Sequence, residues 1–286
     1  MIKLYQENHG WSCEGRLICV TELQKLNVIC PSCDHEFRTY LCSHQSAENV
    51  SGEPKPARLA EPTRRDLIST EFRPYLVGVK PLHFQVHTCP FCGLTGNIAR
   101  FTGSMVLPVE EGLRAFLREH IVPLLRQDLS WMSFSGERYE FSAMIMEYEN
   151  AEPQKIGLQY LKAAWCASDL FHKKERQYRM RAADFFRKAL PDGIGGTDDP
   201  DGNIALPPER EALLKYMIGE QYRRVGHSAH AAEWYDHAQS LAGTDSLLAA
   251  LAEQQKTNPQ EYLSEEQRVI EYQLPGLVGC VILRNN

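Results

Sequence analysis

Two short cysteine pairs constrain this chain more than anything else in it: Cys30-Pro31-Ser32-Cys33 and Cys89-Pro90-Phe91-Cys92. A gap of two residues lets both sulfurs of a pair reach one ion while the intervening amides turn toward them. Two pairs supply four thiolates, the number that fills a closed, tetrahedral structural zinc site. Cys30, Cys33, Cys89 and Cys92 are therefore the expected metal ligands, with one Zn2+ as the expected ion; four-thiolate geometry admits iron as well. A redox dithiol would need only one pair in a strand–helix–strand setting, which is absent here. Gly93, just after the second pair, suits the left-handed backbone such a knuckle needs, and Asp34 holds the equivalent place after the first. The 55 residues between the pairs exceed a minimal zinc ribbon. The polar, proline-punctuated stretch at 45–58, within an insert at 45–63, reads as a loop that absorbs the excess.

Five cysteines remain of the nine, and Cys13, Cys19 and Cys42 lie with the pairs in residues 1–92. Cys13, Cys19, Cys42 and His44 could build a second site, as could His83 and His87 on their shared strand face, though the spacings are irregular; buried cysteines and solvated histidines are the simpler reading. The amino terminus lacks an apolar signal core and no apolar run approaches the ~20 residues of a membrane span, so the expectation is a cytoplasmic protein with reduced thiols and no membrane partner. The net charge of −6 is unevenly placed: residues 1–108 carry 11 Lys+Arg against 10 Asp+Glu, and residues 109–286 carry 20 against 27. This shift predicts a zinc-ribbon-like metal-binding module at 1–108, a helical domain at 109–273 and a tail at 274–286. The fold class expected is α+β, mainly α.

Strands are expected at 17–20, 26–29 and 75–79. A further one is expected over 82–88, where Leu82, Phe84 and Val86 alternate with His83, Gln85 and His87. After Pro108 the period becomes helical. Leu113, Phe116, Leu117, Ile121, Leu124 and Leu125 make one stripe, which Pro123 should kink or end. Helices follow at 137–149, 153–171, 175–190, 208–225, 227–241 and 246–255. A Gly/Asp-rich loop lies at 191–202, and Ser264-Glu265-Glu266-Gln267 has the form of a capping box.

Ile218-Gly219-x-x-Tyr222 followed by Ala231-x-x-x-Tyr235 has the spacing of a tetratricopeptide repeat, with Lys215 in place of the usual tryptophan and Gly243 where a late proline would fall. Gly219 and Ala231 would let two helices approach closely, with Tyr222 and Tyr235 filling the gap. Ala182-x-x-x-Phe186-x-x-Ala189 repeats the second-helix half, so tetratricopeptide-like stacked helical hairpins are expected. Taken with Phe72-Arg73-Pro74-Tyr75-Leu76-Val77 and the two knuckles, this order of motifs resembles an uncharacterised bacterial family, the domain-of-unknown-function 2225 family, over about residues 25–240. Asp34 departs from the glycine often found there, and the 45–63 insert looks long. The resemblance implies a cytosolic bacterial protein with a cysteine–metal module and helical repeats, and no established activity.

The function expected is a non-catalytic protein–protein interaction protein, binding a protein or peptide through its helical hairpins. The alternative is a zinc-ribbon nucleic-acid-binding or regulatory protein, whose basic patch would use Arg58, Arg64, Arg65, Arg73 and Arg100. An enzyme is the third reading. Phosphate-loop, nucleophile-elbow and His-Glu-x-x-His motifs are missing, and Cys166 with His172 stands too far apart along one helix for a dyad. Trp165, Tyr160 and Trp234 read as core more readily than as a partner groove. Lys173–Arg176 and Arg223-Arg224 read as solvated faces, and His227, His230 and His237 as surface histidines rather than a metal patch.

Overall fold

The computed structural model describes residues 20–45, 68–73, 81–102, 109–125, 132–191, 206–243, 246–264 and 267. The expected strands at 17–19 and 75–79, the inserts at 46–63 and 192–202 and the tail lie outside these residues. Within them the protein is mainly helical, with a small antiparallel sheet and a cysteine cluster ahead of stacked helices.

Strands β1 (Val20–Ile29) and β2 (Glu36–Gln45) pair antiparallel from Ile29↔Glu36 to Val20↔Gln45, so the first cysteine pair sits at the tip of this hairpin. Val28, Phe37 and Thr39 are buried while Ile29 and Arg38 face out. A second, minimal hairpin, β3 (His87–Thr88) with β4 (Thr95–Gly96), carries the second pair. The strand expected over 82–88 is shorter than its alternation suggested. Pro81–Phe84 is a 3-10 turn, which a proline at its first position favours, and only His87–Thr88 pairs. The alternation misleads because this segment runs between β2 on one side and helices on the other. His83 and His87 are therefore as buried as Phe84 and Val86.

Six helices stack in chain order: α3 (Ser135–Tyr148), α4 (Pro153–Asp169), α5 (Glu175–Lys188), α6 (Pro208–Arg224), α7 (Ser228–Ala242) and α8 (Leu247–Thr257), each packed on the next. Before them come the short α1 (Ala99–Thr102) and α2 (Glu111–Phe116). The expected helix ends fall within two residues; Pro153 and Pro208 open α4 and α6, and Ser246 caps α8 by accepting the Ala249 amide at 3.0 Å. The capping box closes reciprocally, Ser264 N to Gln267 Oε1 at 3.0 Å and Gln267 N to Ser264 Oγ at 3.3 Å. Pro123 acts as expected: α2 widens into a π turn at Leu117–Ile121 and tightens to a 3-10 turn at Val122–Leu124. It also ends the stripe, leaving Leu124 exposed.

Two apolar cores result. The larger lies among α3–α8 and takes in Ile68, Phe72 and Val86. The smaller gathers Val28, Phe37, Leu94 and Phe101 with Leu113, Leu117, Ile121, Phe141 and Ile145, so it draws on both sides of residue 108. At the α6–α7 seam, a Cβ on Gly219 would lie 2.7 Å from the Tyr235 ring. Adding even a methyl there forces the ring aside, so Gly219→Ala is expected to destabilise by about 1–3 kcal/mol in urea unfolding, despite alanine's better helix propensity. The α4–α5 seam is built alike, with Gly157 against Phe186 at the same 2.7 Å.

Candidate metal centre

Both knuckles close with the same hydrogen bonds. The Asp34 amide donates to the Cys30 carbonyl (2.9 Å) and the Gly93 amide to the Cys89 carbonyl (3.0 Å), while Cys30 N reaches His35 O (3.0 Å) and Cys89 N reaches Leu94 O (2.9 Å). Both residues after the pairs are left-handed, Asp34 at φ 58° and Gly93 at φ 77°. Aspartate tolerates that region and glycine suits it without strain, as the spacing implied.

All four sulfurs lie within 4.8 Å of one another. Cys30 Sγ and Cys92 Sγ are 3.5 Å apart, and Cys33 Sγ and Cys89 Sγ 3.7 Å. These separations far exceed the ~2.05 Å of a disulfide. They match the ~3.8 Å edge of a tetrahedron with Zn–S bonds of ~2.3 Å. The donor set therefore fits one four-coordinate metal ion. Cys30 and Cys89 are fully buried, and Cys33 and Cys92 partly so. The Val28–Phe37–Leu94–Phe101 core backs the site, and Phe91 stacks on His35 in front at 4.4 Å.

Electrostatics point the same way. Hydrogen bonds from Cys30 and Cys89 hold the Cys92 thiol far below its ordinary value, whereas the bonds of Cys89 to Cys30 and Cys92, together with burial, push the Cys89 thiol far up. Binding of a cation to such a set releases the protons that its thiols still carry.

Among the described residues this is the only group of three or more His, Cys, Asp or Glu side chains placed to share an ion. His83 and His87 do not assemble a second site. His83 Nδ1 lies 2.6 Å from Ser135 Oγ and its Nε2 3.0 Å from Asp169, while His87 Nδ1 bonds Thr39 Oγ1 at 2.7 Å. Cys13 and Cys19, and the side chains of Cys42 and His44, lie outside the described residues. His227 and His230 stack on Tyr222, and His237 meets Trp234 edge-on. The chain Ser135–His83–Asp169 looks like a hydrolytic triad in composition only. Ser135 is buried, its hydroxyl reaches the Met132 carbonyl (2.8 Å) as well as the imidazole, and Asp169 is shared with Arg73. Cys166 is sealed inside α4, where burial pushes its thiol up to about 12, against what a nucleophile needs. His172 faces Glu137 and the Lys174 amide instead.

A second cluster, made of charge, has no local signature in the chain. Glu71 is buried against Arg179 (2.6 Å), Arg224 (2.8 Å) and the Trp165 indole N–H (3.1 Å). Glu220, also buried, holds Arg223 at 3.0 Å and the Tyr235 hydroxyl at 2.6 Å. Arg223 and Arg224 are thus not a solvated face. Arg73 is buried on the Trp165 carbonyl and Asp169 and so is withdrawn from the basic patch; Arg100 is partly exposed and pairs with Glu149 at 2.9 Å, and Arg58, Arg64 and Arg65 lie outside the described residues. Trp165 and Tyr160 are core, as expected.

A family model described as "Uncharacterized protein conserved in bacteria (DUF2225)" matches residues 23–259, from within β1 to just past α8. Comparison with curated proteins and with solved structures finds no match. Among the described residues no helix is long and apolar enough to cross a membrane.

Proposed function

The chain belongs to the bacterial domain-of-unknown-function 2225 family, and we propose that it is a non-catalytic protein-interaction protein in which one structural zinc ion holds the front module against a stack of tetratricopeptide-like helices. The convergence of four cysteine sulfurs carries the reading. Four thiolates occupy every position of a tetrahedral ion, leaving none for a water or a substrate, so the metal's work is to hold the fold. Zinc is proposed over iron as the ion that closed four-cysteine structural sites characteristically hold, the tetrahedral sulfur geometry itself admitting either. Reduced thiols awaiting a metal suit the cytoplasm. The helical half supports the interaction role through its repeated glycine–aromatic seams, Gly157 on Phe186 and Gly219 on Tyr235, with a protein or peptide as the partner.

In-cell cross-linking of the full chain, read by mass spectrometry, tests this. The expected result is one protein recovered in replicate preparations, with its cross-links on α3–α8 and recovery reduced at least about tenfold when Cys30→Ser removes the metal. Cross-links scattered among unrelated proteins, together with salt-sensitive retention of the purified chain on RNA or DNA, would favour the nucleic-acid reading instead.

A further inference from the structure

Residues 68–73 are attached to the helices in an unusual way. Their main chain closes on itself: Ser69 N donates to Arg73 O (2.9 Å), Phe72 N to Ser69 O (2.8 Å), and Ser69 Oγ accepts the Glu71 and Arg73 amides (3.3 and 3.2 Å). Outside the loop, the main chain pairs with the strip after α8, Thr70 N to Glu261 O (3.1 Å) and Leu263 N to Ile68 O (2.8 Å). The helices hold this hook almost entirely through side chains. Arg179, Arg224, Gln221 and Trp165 converge on the Glu71 carboxylate from three different helices, α4, α5 and α6. Thr70 donates to Glu220 at 2.8 Å, and Phe72, fully buried at φ 59°, lies against Tyr216. The hook thus carries its own backbone bonds and offers a hydroxyl, a carboxylate and an aromatic ring to a prepared receptor.

A core designed for stability alone fills such a space with apolar side chains, because buried ion pairs barely recover their desolvation cost. Convergent charged donors on one carboxylate instead give selectivity. The left-handed Phe72 adds strain that the receptor must hold. Leaving as a unit also differs from losing one partner: if the hook withdraws, Glu71, Arg179 and Arg224 regain water together, and Asp169, which loses Arg73, still faces His83 at 3.0 Å.

We infer that the inner face of α4–α6 is a receptor for a carboxylate-bearing turn of a partner protein, occupied in cis by residues 68–73. The partner presents an acidic side chain flanked by a hydroxyl and an aromatic residue, and binds by displacing the hook. This deepens the interaction role proposed above and rests on it, although the hook's displacement is measurable without any partner.

Two measurements on the full, metal-loaded chain test it. In hydrogen exchange on the wild-type protein, the amides of 70–73 are expected to open at least about 100-fold more often than those of 213–221 in α6, as a sub-global unit does. In fluorescence anisotropy, a labelled synthetic peptide of residues 66–75 is expected to bind Glu71→Ala at least about tenfold more tightly than wild type, and its Glu71→Gln counterpart at least about tenfold more weakly. Exchange of 70–73 and α6 at one common rate overturns the inference, because the hook then opens only on global unfolding. Equal affinity of a folded Glu71→Ala protein for both peptides overturns it too. If Glu71→Ala does not fold, the wild-type exchange decides alone. A hook that opens while no partner is ever found would instead count against the interaction role.

Discussion

Cys30→Ser or Cys89→Ser is expected to unfold the front of the molecule. These two sulfurs are fully buried, and in the proposed site each would anchor one of the two hairpins to a shared ion. Metal binding of this kind contributes on the order of 10–16 kcal/mol to small zinc modules, against a total stability of about 5–15 kcal/mol for an ordinary domain. The second hairpin has few backbone pairs of its own, two residues per strand in β3–β4, whereas β1–β2 pairs over ten. The damage should spread through the smaller core to Phe141 and Ile145, which tie the metal module to α3. Circular dichroism with a chelator titration checks this. Either variant, and the chelated wild type, should lose the β-hairpin signal and expose amides 28–37 and 87–96 to exchange. Cys166→Ala, a buried cysteine away from the cluster, should keep the metal and lose only about 1–2 kcal/mol of packing.

The second large effect belongs to the Glu71 network. Removing one member of a buried pair strands the other, at a cost of roughly 3–5 kcal/mol, while replacing both with apolar groups of similar size recovers much of that. Arg179→Met is therefore expected to destabilise by ~3–5 kcal/mol in urea unfolding, and Glu71→Met with Arg179→Met together by clearly less than the sum. Additive losses would show that the pair is not coupled. The pH dependence has a definite sign. Burial alone would raise the Glu71 carboxyl, but Arg179 and Arg224 outweigh it and hold it well below the usual carboxylate range. A depressed folded-state value stabilises above the unfolded value of ~4.3 and is lost as the pH falls through the folded one. Wild-type stability should accordingly fall with acidification below about pH 4.3, and Glu71→Gln should lack that component.

How much of this was legible beforehand depends on the range of the signal. The knuckles were readable because spacing within four residues carries the chemistry, and the helices because period, proline starts and caps are local. The 82–88 segment failed because alternation reports one wet face, and both of its faces are covered. Arg223 and Arg224 were misread for a related reason: charge looks like surface until a buried carboxylate meets it, and Glu71 lies 152 and 153 residues away in the chain. The hook itself has no period at all. The first glycine seam does have a local signal. Ile156-Gly157-x-Gln159-Tyr160 repeats Ile218-Gly219-x-Gln221-Tyr222, and it marks the glycine of the first seam as surely as the second.

The cysteine cluster remains the centre of the account, and elemental analysis of untagged full-length protein addresses it most directly. About one zinc per chain is expected, released by acid or chelator together with loss of the front fold, and absent from Cys30→Ser. A metal-free chain that is equally folded, and indifferent to chelator, would contradict it.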